Sequence, residues 1–280
     1  MKSFLKKKTA DKLLFIFTWL CAILTFCVLL FLIAHILIKG VPYLKPSLFS
    51  LTYTTETVSL FPALITTIMM VAASLIIAVP IGVFAAIYLV EYAKRGNRLV
   101  SVIRATAETL SGIPSIIYGL FGWLFFVTWL RWGYSMLAGS ATLSIMILPL
   151  IMRTAEESLK SVSDSYREGA FGLGAGRLRT VFVIVLPAAA PGILAGVILS
   201  IGRIVGETAT LLYTSGSVPQ IPKGPLSSGR TLAIHMYALS SEGLYTGQAY
   251  ATAVVLLVTV VCINALSELL ARKISSDMRR

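Results

Sequence analysis

Runs of apolar residues long enough to cross a bilayer recur along this chain and leave few other ways for it to fold. A bilayer core about 30 Å thick takes roughly 20 residues of helix. Apolar runs of about that length or more occupy 13–38, 61–92, 113–130, 136–152, 188–213 and 247–270. The chain is 57% hydrophobic and 13% charged, against about 25% charged in soluble domains. In lipid every backbone group must be satisfied internally, so the choice lies between helices and a closed barrel. Barrel strands alternate in polarity over roughly ten residues; these runs do not. The expected fold is an all-α integral membrane protein with six transmembrane helices. The first run exceeds a signal-peptide core and no small-x-small cleavage site follows it, so a retained span is expected. Pro80 is expected to kink the second run, and Pro149 lies near the end of the fourth.

The net charge of +12 would suit a nucleic-acid partner, but its distribution argues for membrane orientation instead. Of the 24 Lys and Arg residues, Lys39, Lys45, Arg131, Lys223 and Arg230 fall on one side of the expected spans and Arg203 lies inside one. All the others share the side of the two termini. The positive-inside rule therefore puts both termini, and the 154–187 segment, in the cytoplasm. Cys21, Cys27 and Cys262 sit in apolar runs without disulfide or metal spacing and read as small hydrophobes. His35, near the end of the first run with no second ligand nearby, reads as an interfacial histidine, and His235, in an apolar-looking part of a later loop, as a packing residue. Residues 99–110 form an amphipathic stretch in which Arg104 and Glu108, four apart, read as a solvated pair. The 215–244 segment, rich in Pro and Gly, reads as a long loop.

Between the fourth and fifth spans lies SYREGAFGLGAGRLRTVFVIVLP, 165–187. Ser165 and Glu168 have capping-box spacing, so a helix is expected to begin at Ser165. Gly174 and Gly176 are positioned to end it, and Pro187 marks the start of the next membrane helix. Glu168, Gly169 and Ala170, then Gly174, then Ile184, Leu186 and Pro187 resemble the "EAA" loop of ABC importer permeases. That pattern is E-A-A, three residues, G, nine residues, I-x-L-P. The spacing matches throughout; only Gly169 departs, and it keeps the small size. The resemblance implies a docking helix held in a groove on an ATPase subunit.

Arg203 and Glu207 lie deep in the fifth run, in GRIVGETATLLYTSG. A central Arg costs about 2.5–3.5 kcal/mol on insertion scales, so an intramembrane ion is a functional candidate. Four residues apart in a continuous helix, the two would share a face and partly neutralise each other. A guanidinium fork suits phosphate or carboxylate oxygens. This segment, with SGIPSIIYGL at 111–120 and LPLIMRTAEESL at 148–159, resembles permeases of the phosphate-specific ABC importer. The A-T-L-L continuation and short N-terminus favour the PstA type. The resemblance implies a type I ABC importer permease fold, with Arg203 and Glu207 on the phosphate path. It also implies a PstC-type companion permease, a PstB-type ATPase dimer, a PstS-type phosphate-binding protein, and a bacterial or archaeal cytoplasmic membrane.

Three regions follow. Residues 1–59 hold a basic tail, the first span and an outer loop; 60–271 hold a five-helix permease core with the docking loop at 154–187; 272–280 form a basic tail. The chain has no G-x-x-x-x-G-K-[ST] phosphate loop, since Gly172, Gly174 and Gly176 follow no strand. It is therefore expected to be no enzyme, to need no cofactor or metal, to bind no nucleic acid, and to rely on a partner for ATP hydrolysis. Two further readings are a permease for another oxyanion such as sulfate or molybdate, and a transporter or channel independent of any ATPase. A membrane anchor or signalling subunit is a third.

Overall fold

The computed structural model describes residues 2–94 and 96–277, and every regular element among them is helical. Arg95, Arg279 and Arg280, used in the charge argument, lie outside the described residues. Helix α1 spans Lys2–Gly40, and α2 spans Phe61–Ile87 and continues as a π-helical turn, Tyr88–Tyr92. Helix α3 is Arg98–Ser111; α4 is Ser115–Gly122, extended by the π-helical Trp123–Trp129. Helix α5 covers Met136–Ser161 and α6 Asp164–Gly172. Helix α7, Arg177–Thr180, runs through the π-helical Val181–Val185 into α8, Leu186–Val205. Then come α9 at Ala209–Thr214, α10 at Leu232–Glu242 and α11 at Thr246–Asp277.

Five of these stretches are long and apolar enough to cross a membrane: Leu14–Tyr43, Phe61–Tyr92, Met136–Ser161, Arg177–Val205 and Thr246–Leu269. The expected third span is different. Ser115–Trp129 meets Arg98–Ser111 at a bend of 104°, because the Gly112-Ile113-Pro114 link interrupts helical hydrogen bonding. At 1.5 Å per residue Ser115–Trp129 is only about 22 Å long, short of the ~30 Å core. Six spans result only if the bent pair is taken as one.

Two more expectations change. The fifth span is not continuous to 213. It stops at Val205; Gly206, Glu207 and Thr208 leave the helix, and α9 begins afresh at Ala209. The 215–244 segment is not all loop, since it holds α10, closed by Gly243 in the left-handed region (φ 71°).

Helices α2 and α5 pack most extensively, with α8 against α5 and α11 against α8 and α10. Their shared core contains Met70, Ala78, Leu143, Met146, Ile147, Ile151, Ile201, Ile204 and Leu211. Away from water, hydroxyls find backbone carbonyls: Thr67 Oγ1 donates to the Ala63 carbonyl (2.7 Å), and Ser144 Oγ donates across to Ser74 on α2 (3.1 Å). Helix α1 stands at the edge. It packs mainly on α11, where the His35 and Tyr250 rings lie 5.8 Å apart, and it turns Leu14–Leu32 outward.

Small residues set the helix separations. At Gly196 on α8, an added Cβ would collide with the Thr154 side chain of α5. Gly196→Leu is expected to destabilise the fold by about 1–3 kcal/mol through overpacking. A lower midpoint in thermal unfolding of the detergent-purified chain would register it. The half-buried Gly202→Ala, whose Cβ meets nothing within 4 Å, serves as a control expected to shift little.

Candidate functional site

Helix α6 begins one residue earlier than expected. Its cap is Ser163, whose hydroxyl accepts from the Ser165 N–H (3.4 Å), and the Ser165 and Ser163 hydroxyls are 2.9 Å apart. Ser165 is thus already inside the first turn, and the capping box with Glu168 does not form. The other end is as expected: Gly174 takes φ 81°, the Gly174 N–H reaches the Phe171 carbonyl (2.9 Å) and the Ala175 N–H the Ala170 carbonyl (3.0 Å). Gly176 is not a second left-handed stop; it caps α7 in extended conformation.

The seven residues picked from sequence divide by environment. Glu168, Gly169 and Gly174 are exposed; Ile184, Leu186 and Pro187 are half-buried in the helix leading back to the bundle; Ala170 is 5% exposed. Only a small side chain suits a position packed as Ala170 is. A Cβ at Gly169 would meet nothing within 4 Å, so Ala would fit there too. Around them Tyr166, Phe171 and Leu173 are exposed, Leu173 to 91%. These three leave an apolar surface on an otherwise polar helix.

One anchor escaped the sequence reading. The Arg167 guanidinium forks onto Glu91 at the end of α2: Nη2 donates to Oε1 at 2.7 Å and Nε at 3.1 Å. It also donates to the carbonyls of Leu159 (3.0 Å) and Val162 (2.8 Å) and to Asp164 (3.2 Å). Glu91 is 7% exposed. One side chain thus ties α6 to the ends of α2 and α5. Arg104 pairs not with Glu108 but with Glu156 of α5 (2.7 Å), which Lys160 also meets (2.6 Å). The 104° bend carries α3 back over α5 and puts Arg104 there. Between α3, α6 and the end of α2 lies a cavity of about 1090 Å³ with Lys94, Arg98 and Arg104 among its walls.

Arg203 sits in the last turn of α8, half-buried, where a cation suits the negative end of the helix dipole. The expected pair with Glu207 is not made. The helix ends between them, and Glu207, 9% exposed, instead accepts from the Thr210 N–H (3.0 Å), capping the start of α9. Thr210 in turn donates to the Ser115 carbonyl at the start of α4 (2.9 Å). Among the described residues, no ion pair includes Arg203. A cation at a helix break, free of its neighbouring carboxylate, is open to an anion.

At the far end of α2, His235 is fully buried on α10 rather than in a loop. Burial first, and the Arg230 charge second, push its pKa down to about 3. The ring is therefore neutral in the folded chain, while in the unfolded chain it takes a proton below about 6.5. Stability present above pH 6.5 is lost as pH falls towards 3, by about 3 kcal/mol at pH 4. Thermal unfolding should fall more steeply over that window in the wild type than in His235→Phe.

The family described as "binding-protein-dependent transport system inner membrane component" matches residues 78–276. The chain is 32% identical over 268 residues to the phosphate transport system permease protein PstA of Haemophilus influenzae, covering 94% of each. It is 31% identical over 260 residues to the probable ABC transporter permease protein YqgI of Bacillus subtilis, covering 86% of each. Its fold is similar to a chain of the bacterial alginate ABC transporter crystallised with its periplasmic protein, at TM-score 0.62 and 17% identity, over 90% of this chain and 95% of that one. Matched over residues 78–276 and similar along nearly its whole length to such permeases, this chain belongs to the family of binding-protein-dependent transport system inner membrane components.

Proposed function

We propose that the chain is the PstA-type permease subunit of an ATP-driven phosphate importer in a bacterial cytoplasmic membrane. The observation that carries this reading is Arg203: a half-buried cation with no ion pair among the described residues, at the break between α8 and α9. The identity to the PstA protein along nearly the whole chain supports phosphate over sulfate or molybdate.

In this reading the bent pair α3–α4 counts as one span, giving six, with both termini and α6 on the cytoplasmic side. Residues 60–271 form the permease core; 1–59 add the first span and an outer loop, and 272–280 a basic tail. Glu168, Gly169, Ala170 and Gly174 shape the docking helix, with Leu173 and Phe171 as its contact surface, and Ile184, Leu186 and Pro187 join it to α8. The partners are a PstC-type permease, a PstB-type ATPase dimer that hydrolyses the ATP, and a PstS-type phosphate-binding protein. This chain has no catalytic role and no cofactor.

Closure of the ATPase dimer displaces α6. The Arg167–Glu91 link passes that displacement to α2, and the continuous helix from α7 passes it to α8. The cavity between α3 and α6 leaves room for the shift. The bundle then rocks between two packings and exposes Arg203 to alternate sides. Arg203 gives the anion a charged donor fork without a deep well, as a conducting site requires.

The test is ATP hydrolysis by the complete complex in vesicles. Phosphate-loaded binding protein is expected to stimulate hydrolysis several-fold over the phosphate-free form. Equal stimulation by sulfate as the added anion would remove the phosphate assignment. Failure of the chain to co-purify with any ATPase would remove the importer reading altogether.

A further inference from the structure

A second arginine lies beyond the break, and among the described residues it too has no ion pair. Arg230 is 6% exposed. Its Nε and Nη2 are buried and have no hydrogen-bond partner, and among the described residues no ion pair includes it. The guanidinium carbon lies 4.7 Å from the centre of the Tyr53 ring. A cation–π contact offsets only part of the desolvation of a buried guanidinium.

Two features beside it suit an anion. Thr231, 1% exposed, has a buried hydroxyl without a partner and does not cap α10, which starts at the next residue. The start of α10 carries the positive end of its dipole. His235, which stands edge-on to Tyr53 at 6.1 Å, adds no second charge because it is neutral. The Arg230 backbone is fixed, its N–H donating to the Val218 carbonyl at 3.1 Å.

The location follows from hydrogen bonds. Leu232 N–H donates to Thr67 Oγ1 near the start of α2, whereas Glu91, which holds α6, is at the other end of that helix. Arg230 is therefore at the end of the bundle away from α6. Its segment is tied to α9: Ser215 Oγ donates to the Gly229 carbonyl (2.5 Å), and Ser228 Oγ to the Ser215 carbonyl (2.7 Å). Glu207 holds the other end of α9, about 12 Å away at the helical rise.

We propose that Arg230, with the Thr231 hydroxyl and the start of α10, forms an oxyanion-binding station through which phosphate passes before it reaches Arg203. This rests on the phosphate-import reading and adds to it. The anion supplies the missing counter-charge to Arg230 and accepts from its two free N–H directions and from Thr231. Arg203 lies one short helix further along.

The test measures binding of labelled inorganic phosphate to the complete permease–ATPase complex without the binding protein. Using the Arg203→Gln background isolates the second station. That complex is expected to keep measurable phosphate binding. Adding Arg230→Met should weaken it by about tenfold or more, since a charged fork is lost, and Arg230→Lys, which keeps charge but not the fork, should fall between. Arg230→Met should also leave the complex at least as heat-resistant as before, because it removes a buried unpaired charge. If Arg230→Met does not assemble, Arg230→Lys alone carries the test, and unchanged phosphate binding in it overturns the station. Unchanged binding in Arg230→Met overturns it too. Loss of the companion permease or of binding-protein affinity, with phosphate binding intact, would assign Arg230 to a partner carboxylate and likewise overturn it. The broader reading fails separately: the wild type would then bind sulfate without competition from phosphate, while Arg230→Met would still abolish that sulfate binding.

Discussion

Replacing Arg167 by Ala is expected to reduce ATP-driven uptake at least tenfold while the chain still inserts and assembles. The Arg167 side chain is 14% exposed and that of Glu91 8%, so truncation leaves a buried carboxylate without its partner. Breaking such a pair from one side costs about 3–5 kcal/mol. The loss falls on the join between α6 and the bundle, because Arg167 also holds the final carbonyls of α5. The core of Met70, Leu143 and Ile147 lies elsewhere and is not touched. Hydrolysis should continue but cease to respond to loaded binding protein, which separates a broken linkage from a misfolded chain. The double variant Glu91→Gln with Arg167→Met removes both charges and should recover part of the stability loss but none of the response. Additive losses in that double variant would show that the two residues do not act as a unit.

Arg203→Gln carries the second large effect. The amide keeps polarity and approximate length but removes the charge. A hydrogen bond to a charged group is worth about 1.5–3 kcal/mol, or roughly 10- to 150-fold in rate if it operates in the transport transition state. Phosphate uptake is therefore expected to drop by one to two orders of magnitude. Assembly should be unaffected, because among the described residues Arg203 pairs with no carboxylate whose burial depends on it. Glu207→Gln should behave differently. Its side chain can still accept from the Thr210 N–H, so a milder loss is expected.

The long apolar runs made α1, α2, α5 and α11 legible from sequence, although α5 runs on through charged turns to Ser161, beyond the apolar stretch that ended at 152. The break after Val205 was not legible as a break. A hydropathy window averages over Gly206, Glu207 and Thr208, and the apolar residues on both sides hide three positions that leave the helix. The Gly-Glu-Thr sequence itself was the available signal, since it sets a helix stop beside a residue able to cap the next start. Helix α10 was masked by the Pro and Gly residues before it. Its helical state depends on burial of Leu232, Ile234 and Leu239 against other helices, which no local pattern reports.

The candidate site was partly readable for a similar reason. Arg203 stood out because a cation in an apolar run has no ordinary explanation. Its relation to Glu207 was misread because four-residue spacing places two residues on one face only in an unbroken helix. The Glu91–Arg167 anchor joins residues 76 positions apart, and Glu91 in sequence looks like an ordinary charge at the end of a span. Arg104 likewise had a plausible local partner in Glu108 and took a distant one in Glu156. Arg230 counted in sequence only as one of the few cations on its side of the membrane. That its buried N–H groups lack partners is a property of the packed structure alone.

The measurement that bears most directly on the central claim is uptake of labelled phosphate into vesicles containing the complete complex and saturating binding protein. ATP is supplied or withheld, and unlabelled anions compete. The expected result is uptake that requires ATP, is suppressed by unlabelled phosphate, and is indifferent to sulfate and molybdate. Uptake without ATP, or equal suppression by sulfate, would contradict the assignment of this chain to ATP-driven phosphate import.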